Sequence, residues 1–152
     1  MARVLGIDLG SRRIGVAVSD GLGLTAQPRG TIARHGGMRD IDAIAAAVKD
    51  ADADRIVLGL PLDCEGQEGP AVQRARVFGD KLRAALHLPV ELIDESFSTV
   101  EAEAVLLAAN VSRARRKEVV DKMAAAVILQ RWLDAQRGKV EKRTEETSEE
   151  NP

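Results

Sequence analysis

Apolar residues gather in short runs early in the chain and in helical periods later. The runs Arg3–Leu9, Ile14–Ser19, about Leu24–Ala33, Arg55–Leu60 and Val90–Ile93 are rich in Val, Ile or Leu, and most are closed by Gly, Asp or Pro, which predicts five strands. Between the later runs the period changes. Ile41, Ile44, Ala45 and Val48 recur at helix spacing, as do Val72, Ala75, Phe78, Leu82 and Leu86. Ser98-Thr99-Val100-Glu101 reads as a capping box opening a third helix through about Ala108, and a fourth helix is predicted from Val119 to about Gln136.

The predicted order is therefore βββαβαβα. The short link Ser11-Arg12-Arg13 makes the first two strands an antiparallel hairpin, whereas the helix-linked strands need right-handed parallel crossovers. Together they predict an α/β fold: a mixed five-stranded sheet with helices on its faces. In open α/β sheets, ligands gather beyond the carboxyl ends of the parallel strands, which here are the ends bearing Asp8 and Asp94-Glu95.

Three acids draw attention against this pattern. Asp8 lies inside Val4-Leu5-Gly6-Ile7-Asp8-Leu9-Gly10, a strand apolar enough to be covered on both faces, where a carboxylate needs a salt-bridge partner, a turn or a metal. Glu95 projects from the end of another strand. Asp121 shares a stripe with Ala124, Ala125, Ile128 and Trp132, so it is expected on the sheet-facing side of the fourth helix. Three carboxylates converging without a Cys or His pair suit hard cations, Mg²⁺ or Mn²⁺, and such ions suit phosphate chemistry. The spacing by itself leaves open whether the acids meet.

Composition narrows the alternatives. The chain has 152 residues, one cysteine (Cys64) and two histidines (His35 and His87), which rules out an intrachain disulfide and a Cys/His zinc site. Neither a membrane-length apolar run nor a cleavable signal pattern is evident, so a cytoplasmic location is expected. The last twelve residues hold five acids and two bases, leaving twenty bases and nineteen acids before them. Residues 1–138 are expected to form one domain and 139–152 a disordered acidic tail. Arginine outnumbers lysine sixteen to six, and Arg113, Arg115, Arg116, Lys117 and Lys122 cluster around the start of the fourth helix. With Arg12 and Arg13 they are candidate phosphate contacts, though a charge run also serves as an ordinary solvated face. Three aromatic residues are too few for a base-stacking platform.

Four ordered motifs carry a resemblance. They are Val4-Leu5-Gly6-Ile7-Asp8-Leu9-Gly10-Ser11-Arg12-Arg13-Ile14-Gly15-Val16-Ala17; Gly59-Leu60-Pro61-Leu62 with Gly66 and Glu68-Gly69-Pro70; Asp94-Glu95 with Ser98-Thr99; and Val120-Asp121-Lys122-Met123-Ala124-Ala125. Spanning about residues 3–136, they are similar to the YqgF-like family of bacterial RNase H-fold proteins, described as Holliday junction resolvases and as pre-16S rRNA nucleases. The resemblance implies an RNase H-like domain with Asp8, Glu95 and Asp121 as metal-binding catalytic acids. It also implies phosphodiester hydrolysis, with 5′ maturation of pre-16S rRNA in a ribosomal precursor particle as the first expectation and cleavage of branched DNA as the alternative. A monomer would suffice for the former, whereas a symmetric junction favours a homodimer.

The chain departs from the family where an arginine usually follows the motif glutamate, since Ser96 stands there. That keeps a second expectation in view, a nucleic-acid-binding module with weak turnover. A third begins from Asp8-Leu9-Gly10, which resembles the first phosphate loop of actin-like ATPases and sugar kinases. That architecture needs two such domains, and this length provides one.

Overall fold

The computed structural model describes residues 3–60, 69–94 and 122–139. Within them the elements are β1 (Arg3–Leu9), β2 (Arg13–Ser19), β3 (Ala26–Ala33), α1 (Met38–Ala51), β4 (Ala53–Leu60), α2 (Pro70–Leu86), β5 (Val90–Asp94) and a helix over 122–139, here α3. The sheet order is β3-β2-β1-β4-β5. β1 pairs antiparallel with β2 and parallel with β4, and β4 pairs parallel with β5, as the hairpin and crossover arguments require. The predicted helix from Ser98 to about Ala108 lies outside the described residues.

Alternation along β1 sorts its side chains between two layers. Leu5 and Ile7 join Ile14, Val16, Ile56, Leu58, Ile41, Ile44, Phe78 and Leu82 in the core beneath α1 and α2. On the opposite face, Ala17 and Val57 pack with Ala125, Ile128, Leu129 and Leu133 of α3. Burial on both faces explains why β1, β2 and β4 read as nearly continuous apolar runs.

At Gly6 the helix touches the sheet itself. A Cβ there would lie 2.7 Å from the Leu129 Cβ and 3.1 Å from the Ala125 carbonyl oxygen. Gly6 is paired with Ala17 on one side and Val57 on the other, so the floor under α3 is lowest at Gly6. Both flanks of the helix are also tied down. Gln130 accepts from the Ala26 amide at 2.9 Å and donates to the Leu24 carbonyl at 3.0 Å. On the other flank the Trp132 indole donates to Glu91, which also takes a 2.9 Å bond from Arg55.

β3 begins at Ala26, two residues later than the apolar pattern suggested. The Asp20 carboxylate accepts from the Leu24 amide at 2.8 Å and from the Thr25 amide at 3.3 Å, which holds that segment as a turn. Pro28 is accommodated because β3 is an edge strand, and the pairing with β2 shifts register beside it.

Candidate active site

The carboxyl ends of β1, β4 and β5 lie along one edge of the sheet. In register, Ile7 faces Leu58 and Leu58 faces Leu92, so Asp8, Gly59 and Ile93 form the next row and Asp94 the one beyond. Parity with Gly6 places Asp8 on the α3 face, and its residue is only 8% exposed. Its cross-strand partner in β2 is Gly15. Gly59, the residue after Leu58, comes level with it on β4, so both neighbouring strands bring a glycine to this row.

The link after β1 is built around its backbone. The Gly10 amide donates to the Arg13 carbonyl at 3.0 Å, and a Cβ on Gly10 would meet that oxygen at 2.6 Å, so only glycine fits the turn. Arg12 is exposed at its tip, and Arg13 is half-buried at the start of β2. The Arg34 amide donates to the Arg12 carbonyl at 2.9 Å, and the Arg34 guanidinium donates to the Gly10 carbonyl at 2.9 Å.

Behind Arg34 stands Asp40, buried at 1% exposure. Its carboxylate accepts from the amides of His35 at 2.9 Å and Gly36 at 3.1 Å, and lies 3.5 Å from the Arg34 Nε. Burial works against its ionised form, but these two amides and the Arg34 charge outweigh it and hold the carboxyl below the ordinary aspartate range. A buried acid on α1 therefore fixes an arginine that fixes the turn following Asp8. Neither Arg34 nor Asp40 was among the sequence candidates. The available signal was local: Asp40 is an acid three residues after Gly37, the N-terminal boundary of α1.

Of the other candidates, Lys122 is the first described residue of α3 and is half-buried. Glu95, Asp121, Arg113, Arg115, Arg116 and Lys117 lie outside the described residues. Around Lys122 the expected phase of the helix is observed: Ala124, Ala125 and Ile128 are fully buried, and Trp132 packs at the edge of the same cluster.

A sheet of this order, with an acid at the end of its central strand and helices on both faces, invites comparison with known proteins. A family model described as RuvX, Holliday junction resolvase, matches residues 2–135. The chain belongs to the RuvX family. A relative from Myxococcus xanthus is 52% identical over 135 residues, covering 89% of each chain, and bears the name "Putative pre-16S rRNA nuclease". One of the same name from Pelotomaculum thermopropionicum is 48% identical over 135 residues, covering 88% of each. Among solved structures, Thermus thermophilus RuvC in complex with a Holliday junction substrate superposes with a TM-score of 0.55 at 15% identity, covering 91% of this RuvX-family chain and 97% of RuvC. Fowlpox virus resolvase with Holliday junction DNA also gives 0.55, at 8% identity, covering 88% and 98%. At such identities the likeness is one of fold, the RNase H-like α/β architecture.

Proposed function

We propose that this chain is a metal-dependent nuclease that hydrolyses phosphodiester bonds, acting in 5′ maturation of pre-16S rRNA. The name shared by relatives about half identical over nearly the whole chain supports the substrate. The observation that carries the chemistry is the placement of Asp8: a buried carboxylate at the carboxyl edge, paired with Gly15 and level with Gly59, the residue after Leu58. An acid in that position fits a hard cation, because oxygen is the donor Mg²⁺ or Mn²⁺ prefers and the glycines leave lateral room.

Asp8, Glu95 and Asp121 are the proposed ligands. Glu95 follows β5 by one residue, and Asp121 precedes the described α3 by one residue, four before the buried Ala125. Divalent cations held there would supply water activation and charge stabilisation for an in-line displacement at phosphorus. The protein's own part is to hold the phosphates in place. Arg12 and Arg13 in the first turn are proposed to do so, with Arg113, Arg115, Arg116, Lys117 and Lys122 before and at the start of α3. The Asp40–Arg34 pair fixes the Gly10–Arg13 turn, so the first of these groups is presented on a backbone that is already ordered.

Cleavage of four-way DNA is the second reading, favoured by the resolvase fold of the structures above. Among the described residues no helix is long and apolar enough to cross a membrane, which accords with a proposed cytoplasmic location. A monomer suits the rRNA reading and a homodimer the junction reading. The test is cleavage by purified protein, with Mg²⁺ or Mn²⁺, of a pre-16S 5′ leader RNA beside a four-way DNA junction, with Asp8→Asn as control. Metal-dependent cleavage of the RNA alone supports the first reading. Binding without cleavage by the wild-type protein overturns the assignment as an enzyme.

A further inference from the structure

On the face of the sheet opposite α3, a cleft of about 340 Å³ separates the start of α1 from α2. Arg34, Gln73, Arg74, Val77, Phe78 and Lys81 contribute to its walls. Arg74, Phe78 and Lys81 are spaced i, i+4 and i+7, so they share one face of α2. Arg74 and Lys81 are both exposed and, among the described residues, neither has an ion-pair or hydrogen-bond partner, whereas Arg83 on the same helix is bound to Asp80 and to the Val90 carbonyl. The pattern of α2 leaves them so. Positions three and four residues on either side of Arg74 and Lys81 hold Pro70, Ala71, Val77, Phe78, Ala84 and Ala85, with no acid among them. Asp40, the one acid among the described residues that line the cleft, is buried and already engaged by two amides and Arg34, so it does not neutralise the rim. Val77, 52% exposed, adds an apolar wall between the two cations.

The cleft also has a direction. α2 begins after β4 at the carboxyl edge of the sheet, and Arg34, which lines the cleft, donates to the Gly10 carbonyl just beyond Asp8. From Arg74 to Lys81 the helix rises about 10 Å, the axial length of about three phosphates in one strand of a duplex.

We infer that this cleft is a second phosphate-backbone track, which takes the nucleic-acid strand that has passed over the Asp8 edge and holds it through Arg74 and Lys81. The inference rests on the proposed nuclease function. Its chemistry is shape- and charge-based contact with the sugar-phosphate chain, independent of base sequence, with Val77 against the sugars. RNA and DNA present the same phosphates, so both belong in the test.

The test uses the full chain with Ca²⁺ replacing Mg²⁺ or Mn²⁺ to suppress cleavage, and two fluorescent probes, a pre-16S 5′ leader RNA and a four-way DNA junction. Affinity is measured as a function of salt. Arg74→Ala with Lys81→Ala should lower affinity for the bound probe and flatten log K against log salt by about 1.4–1.8, at ~0.7 per phosphate in single strands and ~0.9 in duplex. The melting temperature should not change. A control pair, Arg29→Ala with Lys49→Ala, removes two exposed cations from β3 and the last turn of α1 and should leave the slope nearly intact. An unchanged slope in the cleft pair, or an equal loss in the control pair, overturns the track while leaving the nuclease assignment standing. Failure of the wild-type protein to bind either probe overturns both. Loss on one probe only assigns the track to that nucleic acid.

Discussion

Gly6→Ala tests whether close contact between α3 and the sheet holds the active edge together. The added Cβ would start 2.7 Å from the Leu129 Cβ and 3.1 Å from the Ala125 carbonyl oxygen. Ordinary carbon–carbon contact is about 3.5–4.0 Å, so the helix must retreat by roughly 1 Å. Neither clashing atom can swing aside, since one is backbone and the other is fixed to it. Overpacking of this kind costs about 1–3 kcal/mol. For a chain of this size that is a fall in Tm of about 3–9 °C, at roughly 3 °C per kcal/mol. Turnover should fall further than stability, because a misplacement of about 1 Å in a reacting constellation can cost up to about 10²-fold.

Two comparisons separate this from a general intolerance of alanine. Gly30→Ala on β3 meets nothing within 4 Å and should leave both stability and activity near wild type. Leu129→Gly removes one clashing atom, so Gly6→Ala should cost less in that background than alone, the background's own loss of about 2–5 kcal/mol for the emptied leucine site and ~1 for glycine in a helix cancelling in the cycle. Urea unfolding of the four proteins gives the coupling energy. A Gly6→Ala protein within 0.5 kcal/mol of wild type and fully active, or costs that simply add, would refute the argument.

Asp8→Asn should reduce cleavage by more than 10²-fold, because loss of a partner one shell further out already costs about 10–100-fold; single-turnover assays at saturating metal check this. Asp40→Asn should cost about 2–3 kcal/mol at pH 7, below the ~3–5 of a fully buried pair because Arg34 is 29% exposed. The Asp40 carboxyl titrates lower when folded than when unfolded, so its contribution is present above the unfolded pKa and is lost as pH falls through the folded one; urea unfolding from pH 7 to pH 3 should show the variant's deficit shrinking towards the acid end. Replacing Arg115, Arg116 and Lys117 together by Ala should flatten the salt dependence of nucleic-acid binding by about 2–3, and an unchanged slope would make the cluster a solvated face. Ser96→Arg should speed single-turnover cleavage by about tenfold or more if an arginine there would meet the transferring phosphate, since a charge-assisted bond is worth ~1.5–3 kcal/mol.

What the sequence made legible follows from the range of each interaction. The apolar run of Val4–Ile7 and the 3.6-residue stripe through Ala124, Ala125 and Ile128 are local, and the architecture could be read from them, whereas the face of β1 that bears Asp8 could not, because the strand is covered on both sides. The Asp40–Arg34–Gly10 chain could not. It joins residues through two bonds to backbone atoms, which impose no residue type on Gly10 or Arg12 and leave no period. The cleft was hidden for a similar reason: it forms only when a loop at Arg34 meets a helix forty residues later. The late start of β3 shows the converse, where the one-residue chemistry of Asp20 overrode an apolar pattern.

The two faces of β1 have different thicknesses, and the difference bears on the chemistry proposed for Asp8. Leu5 and Ile7 fill the α1–α2 side, while on the α3 side the strand thins from Val4 to Gly6 before reaching Asp8. The row Ala17–Gly6–Val57 lets α3 sit against the sheet, and the next row on that face, Gly15–Asp8–Gly59, carries the carboxylate and two glycines. With a bulky residue at position 6 the helix would stand off, and an aspartate side chain spans too little distance to compensate. With bulky residues at positions 15 and 59, cations and phosphate would lose lateral access to the carboxylate. Small residues at 6, 15 and 59 are thus the steric condition for the role proposed for Asp8, and it can be probed apart from its charge. Gly15→Val should keep the carboxylate yet weaken metal binding, read by calorimetry with Mn²⁺. If Gly15→Val folds and binds Mn²⁺ like wild type, the glycines are not what opens the site.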